Sequence, residues 1–227
     1  MFIAYFVAGP LGNNCYLLAP DRGTSAVVVD APVGSAATIE HALDEHGLEL
    51  AAVLLTHGHL DHCAEAAGLA DDHDAPVLIG AADRMLLTRP EAALSPELAG
   101  QLTDLLPEPL SEPRRVETYE PSRPLLIGGL TFTVLPAPGH TPGSVLLRTS
   151  TGEQEIAFTG DVLFAGSIGR TDLPGGDDPT MRASLRDVVR ALPPQVHVLP
   201  GHGPFSTMAT ELADNPYLTD AYLEALN

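Results

Sequence analysis

Residues 56–62 read THGHLDH, with His57, His59, Asp61 and His62 inside six positions. On a helix His57 and His59 would project about 200° apart and could not share one ligand. The run before them, AAVLL (51–55), is short, apolar and continuous, as a buried strand is. A tight loop past that strand, with Gly58 between the rings, turns both imidazoles toward one point. Asp61 and His62 then open a predicted helix, LDHCAEAAGLADD (60–72). Standing about 100° apart there, they either face one direction or serve two neighbouring metals.

The same grammar recurs three times. PAPGHTPGS puts His140 after the strand TFTVLP, AFTGDVL puts Asp161 after EIAF, and VHVLPGHGP puts His202 after VHVLP. Each is a metal-competent residue in a Gly/Pro turn at a strand end, where a rigid scaffold places its chemistry. Four such loops supply seven ligands, more than the four of one tetrahedral zinc. Seven suit two divalent ions sharing one carboxylate, with a bridging water or hydroxide. Imidazole and carboxylate donors point to zinc, with iron or manganese as alternatives. The other histidines lack this setting. His41 and His46 lie on a helix face, His73 in a charged loop, and His197 in an alternating strand.

The chain has 227 residues and a formal net charge of −19; all eleven of its basic residues are arginine. Nucleic acid and anionic membranes need a positive face, so neither is expected as a partner. Such a field attracts cations instead. Two cysteines, Cys15 and Cys63, are too few for a disulfide framework and read as reduced packing residues. The N-terminal stretch holds no basic residue before Arg22 and is interrupted by Gly9, Pro10, Asn13 and Asn14. It reads as two strands rather than a signal peptide. No apolar run of about 18 residues occurs, so no membrane span and a cytoplasmic location are expected.

Strands are predicted at Phe2–Val7, Tyr16–Leu18 and Ala26–Val29, then a helix over 36–46 stopped by Gly47. PVLI continues as a strand and AADRMLL as a helical turn or two. Residues 89–124 are the least patterned, with a helix expected around 96–106. LLIGGLTFTVL reads as a hairpin turning at Gly128-Gly129. SVLLRT and EIAFT follow. Asp178 and Pro179 then start a helix with the stripe Met181, Leu185, Val188, Val189 and Leu192, ended by Pro193-Pro194. Ser206–Ala213 and Pro216–Leu226 close the chain as helices. Strands then helices, twice over, suggest one α/β domain with two similar halves, about 1–115 and 116–227, packed sheet on sheet with helices outside.

The series His57, His59, Asp61, His62, His140, Asp161, His202 resembles the H-x-H-x-D-H signature and later landmarks of the metallo-β-lactamase superfamily. The resemblance runs from about residue 10 to the C-terminus and implies an αββα sandwich of two mixed sheets with metals at one edge. NNCYLL, PGHTPGS, TGDVLFAGSIGRTDLPGGD and PGHGP followed by NPYL are most similar to the glyoxalase II-like hydrolases of the short bacterial type. By that resemblance His57, His59 and His140 bind one metal, Asp61, His62 and His202 a second, and Asp161 bridges. It also places Arg170 near a substrate-binding position, where a substrate carboxylate or the nearby Asp172 is its partner. The full glyoxalase II carries a C-terminal helical domain with basic residues that grip glutathione. Here about 25 residues follow His202 and none is basic.

The expected reaction is hydrolysis of a small-molecule thioester, such as an S-hydroxyacyl thiol, by a metal-bridged hydroxide. Asp61 orients that nucleophile and takes its proton. The alternatives are a persulfide dioxygenase with mononuclear iron, or a lactonase of the same superfamily. A β-lactamase is disfavoured by the lack of an export signal, and a ribonuclease by the charge.

Overall fold

The computed structural model describes residues 1–102 and 110–225. β1 (Phe2–Ala8), β2 (Asn13–Ala19) and β3 (Ser25–Val29) form an antiparallel meander. Helix α1 (Ala36–His46) follows, closed by Gly47 in the left-handed region at φ 63°. β4 (Glu49–Leu54) returns parallel to β3, and β5 (Val77–Ile79) and β6 (Val116–Thr118) extend the sheet in parallel. The second sheet starts at a hairpin, β7 (Leu125–Ile127) to β8 (Leu130–Pro136). Gly128 and Gly129 turn it with positive φ at both positions, as the sequence predicts. β9 (Val145–Ser150) and β10 (Glu155–Gly160) continue antiparallel; β11 (His197–Pro200) lies parallel to β10 and β12 (Ser206–Thr207) closes the edge. Among the described residues each sheet therefore has six strands.

Alternation decides which side chain goes where. Tyr16, Leu18, Val27, Val29 and Leu54 meet Phe132, Val134, Leu147 and Phe158 between the sheets. Leu17, Val28 and Val53 point outward against Ile39 and Leu43 of α1 and Leu69 of α3 (Ala66–Asp72). Leu146, Ala157 and Val198 pack outward against Met181, Leu185 and Val189. β2 and β3, covered on both faces, read as continuous apolar runs, whereas β1 and β8 alternate more and less buried residues. The result is the αββα sandwich of two mixed sheets.

Several local expectations shift. The predicted helix over 60–72 is two helices, α2 (Leu60–Cys63) and α3, broken at Glu65. The Glu65 amide donates to the Ala31 carbonyl, and its carboxylate accepts from the amides of Gly34 and Ala36. Those tertiary bonds replace the intrahelical ones. α4 spans Pro96–Leu102; the rest of the helix expected around 96–106 falls largely outside the described residues. The cap of α5 (Asp178–Ser184) is Asp177, one residue earlier than expected. Extended backbone there lets its carboxylate take the Thr180 amide at 2.8 Å, while Asp178 pairs with Arg182 at 2.6 Å. Ser206 and Thr207 are strand rather than helix, followed by α6 (Met208–Asp214). In place of the expected terminal helix Pro216–Leu226 there is a 3-10 turn at Pro216–Leu218 and then α7 (Asp220–Leu223), with Leu226 outside the described residues. No helix among the described residues is long and apolar enough to cross a membrane.

Candidate metal centre

The seven residues converge at one edge of the sandwich, beyond the ends of β4, β8, β10 and β11. His57, His59 and His140 form one group, and Asp61, His62 and His202 a second. Within each group the potential ligand atoms lie within 4.8 Å of one another. Asp161 stands between them: Oδ1 is 3.3 Å from His62 Nε2, and Oδ2 is 3.6 Å from His140 Nε2 and 3.5 Å from His202 Nε2. His202 Nε2 is 3.3 Å from Asp61 Oδ2.

Outer partners settle which ring nitrogen faces inward. His140 Nδ1 donates to the Arg170 carbonyl at 2.7 Å, and His62 Nδ1 to the Asp30 carboxylate at 2.9 Å. The Thr56 hydroxyl gives its only proton to Asp30 at 2.8 Å, so it must accept from His57 Nδ1 at 3.1 Å. In the neutral imidazole each bond leaves a lone pair on Nε2, the form that binds a cation. Nε2 of His57, His59 and His140, together with Asp161 Oδ1, are buried without a hydrogen-bond partner among the described residues. Buried polar atoms are almost always satisfied. Converging orphaned lone pairs are what a divalent cation completes, so the donor set fits the metal that the sequence implies.

Charge divides the two groups. Burial, reinforced by neighbouring imidazoles, lowers the pKa of His57 well below the usual range and that of His59 to about 3. Burial also opposes protonation of His62 and His202. There the carboxylates of Asp161 and Asp61 outweigh it, and both pKa values rise. Burial works against ionising Asp61 and Asp161 as well; His62 overcomes it in both, helped at Asp61 by hydrogen bonds with His202 and Asn13.

Three supporting residues escaped the sequence reading. Asp30 is buried at a left-handed φ of 58° just past β3, and accepts from the Thr56 amide and hydroxyl as well as His62. A non-glycine residue held there stores strain of about 1–3 kcal/mol. Its place after the run AVVV is the strand-end pattern that found Asp161. Asp83 is fully buried in the 3-10 turn Ala81–Leu87. It accepts from the Gly58 amide at 2.9 Å, the Thr141 hydroxyl at 2.6 Å and the Gly143 amide at 2.7 Å. It thus ties the loop of His57 and His59 to the loop of His140. A Cβ on Gly143 would stand 2.5 Å from its carboxyl carbon. Asn13, at the start of β2, places its amide nitrogen 2.9 Å from Asp61 Oδ2 and 3.2 Å from Nε2 of both His62 and His202.

The remaining candidates settle simply. Cys63 is buried, its thiol 3.6 Å from the Gly58 carbonyl and its pKa raised by burial; both cysteines are free. Arg170 sits on the wall of the cavity over the centre, exposed, with two bonds to Asp172 at 2.6 and 2.7 Å. His73 pairs with Glu40, and His41 with Glu45, away from the site.

A family model for the metallo-beta-lactamase superfamily matches residues 8–202. An uncharacterized protein of Mycobacterium tuberculosis is 40% identical over 96% of this chain and 98% of its own. The hydroxyacylglutathione hydrolase GloC of Haemophilus influenzae is 34% identical over 91% of this chain and 92% of its own. Among solved structures, BLEG-1 B3 metallo-beta-lactamase superposes with a TM-score of 0.80 at 35% identity, covering 96% of this chain and all of that one. TTHA1623 in a di-iron-bound form gives 0.78 at 35% identity, covering 95% of this chain and 100% of that one.

Proposed function

The chain belongs to the metallo-beta-lactamase superfamily, and from that membership we propose that it is a binuclear metal-dependent hydrolase cleaving a small-molecule thioester. The observation that carries the reading is the pair of facing ligand groups joined across Asp161, with four orphaned donor atoms aimed at their centre. His57, His59 and His140 would hold one divalent ion, Asp61, His62 and His202 the other, and Asp161 both. Zinc suits the donors, and the di-iron neighbour supports iron equally. Ions bound there supply Lewis acidity toward a carbonyl oxygen and toward water.

The chain's own groups do the rest. Asp61, on the cavity wall, orients the attacking water and accepts its proton. Water oxygen adds to the thioester carbonyl, the C–S bond breaks, and the thiolate leaves with the electron pair and is protonated from solvent. A thiolate leaves readily and needs little help from an acid. The relationship to GloC supports the thioester. The likeness to a B3 lactamase supports a second reading, the opening of a lactam or lactone by the same groups. A mononuclear-iron dioxygenase fits less well, because His202 stands within 3.6 Å of Asp61 and Asp161.

The deciding experiment joins metal analysis of the purified protein to a panel of thioesters, lactones and β-lactams, with oxygen uptake recorded. Thioester turnover with two equivalents of metal, lost on chelation and restored on reloading, is expected. Turnover of only the cyclic substrates, or oxygen uptake with one iron, overturns the thioester reading.

A further inference from the structure

The cavity above the metal centre has a volume of about 440 Å³, within the range of small-molecule sites. Apart from the candidate ligands, its wall is mostly apolar: Leu11, Leu94, Leu98, Phe164 and Leu173 face it. Arg170 is the one arginine on that wall among the described residues. Its guanidinium is already met by both oxygens of Asp172. Glutathione carries two carboxylates and one ammonium, so it is a net anion. The chain's formal charge of −19, offset only in part by two divalent ions, repels it. Apart from the metal ions, no unpaired cationic side chain waits for either carboxylate on the described wall. An apolar acyl chain gains from every methylene placed against the leucines.

We propose that this cavity selects thioesters with an uncharged, apolar acyl group on an uncharged thiol, and discriminates against S-acylglutathiones. The claim rests on the thioester reading for its chemistry and on the cavity wall for its selectivity. Leu94 lies just before α4, and Leu98 lies on it. Both are half-buried, so α4 sets the acyl preference. Asp172 competes with any substrate carboxylate for Arg170, which makes it a second specificity residue.

The test uses the metal-loaded full chain and two measurements. In the first, acetyl, butanoyl and hexanoyl thioesters of N-acetylcysteamine are compared with S-lactoylglutathione and S-hexanoylglutathione. kcat/KM should rise about fourfold per added methylene, the rate equivalent of about 0.8 kcal/mol. The hexanoyl ester of the neutral thiol should exceed its glutathione counterpart by at least tenfold. Leu94→Ser and Leu98→Ser should each lower the hexanoyl-to-acetyl ratio by fivefold or more. Asp172→Asn should narrow the gap between the two thiols by raising turnover of the glutathione ester. In the second, S-hexyl-N-acetylcysteamine and S-hexylglutathione, which cannot be hydrolysed, are titrated by calorimetry. The neutral thioether should bind at least tenfold more tightly.

A flat chain-length series, or S-lactoylglutathione as the best substrate, overturns the inference and leaves the thioester reading standing. If no thioester is hydrolysed, that reading falls, and the calorimetric preference decides the cavity's selectivity alone. Equal or tighter binding of the glutathione thioether overturns it there too.

Discussion

The His57/His59/His140 group and the Asp61/His62/His202 group stand side by side and solve the same problem in opposite ways. The first is all imidazole and buried, and its inward nitrogens lack partners. The second mixes carboxylate with imidazole, and its members bond to one another and to Asn13. Without a cation, the first group keeps unshared lone pairs, whereas in the second the neighbouring carboxylates favour protonated imidazoles. A buried site can await a metal either by tolerating unsatisfied donors or by substituting protons for it. The scaffold behind each group differs accordingly. Asp83 clamps the loops of the first group, and Asp30 orients His62 in the second.

Removing a ligand breaks the comparison most severely. His59→Ala should take thioester hydrolysis to background and empty the first group, read as metal content by mass spectrometry; full activity would remove His59 from the site. Asp61→Ala should lower kcat by about 10²–10⁴-fold, the usual span for a lost general base. It should also reduce bound metal. Unchanged kcat would dismiss Asp61 as the proton acceptor.

Asp83→Ala strikes the scaffold rather than the ligands. Two buried amides and a hydroxyl lose their acceptor, at roughly 1–3 kcal/mol each before relaxation. Burial raises the pKa of Asp83 itself, which offsets part of what it contributes. A net loss of about 3 kcal/mol in urea unfolding is expected; a variant as stable as the parent would mean the clamp is idle. Asp30→Asn should weaken metal binding by about 10–100-fold, the range for an outer partner of a ligating histidine. Equilibrium dialysis against a competing chelator reads it.

The contrast is sharpened by pH. His62 and His202 have raised pKa values, so protonation stabilises the metal-free fold fully below the ordinary imidazole value of about 6.5. That stability is lost as pH rises through the raised values. Metal entering the second group must displace those protons. His57 and His59, with lowered values, carry none to displace. As pH falls from 8 to 5.5, the second equivalent of metal should therefore leave before the first; simultaneous loss would erase the distinction. The smallest effect belongs to the rim. Asp172→Asn should leave the thermal midpoint unchanged, because the pair with Arg170 is exposed to solvent.

The sequence alone determined which residues gather. A strand can end in a tight loop only where Gly, Pro or a polar residue allows it. At those ends stand His57, His140, Asp161 and His202, each legible from an apolar run followed by a turn. The sheets were legible for the same reason, since strands buried on both faces must be apolar throughout. Only the tertiary structure decided the rest. Asp83 sits in an unremarkable amphipathic stretch, and its importance comes from amides 25 and 60 residues away. Asn13 matters because β2 runs beside the turn that carries His202, to which it is bridged. Glu65 interrupts a helix whose local pattern would have continued, because its amide bonds the Ala31 carbonyl and its carboxylate the Gly34 and Ala36 amides. Local pattern records what a residue does for its own strand or helix. Hydrogen bonds between distant loops leave no period in the sequence, so a buried carboxylate that serves them is found only once the loops are in place.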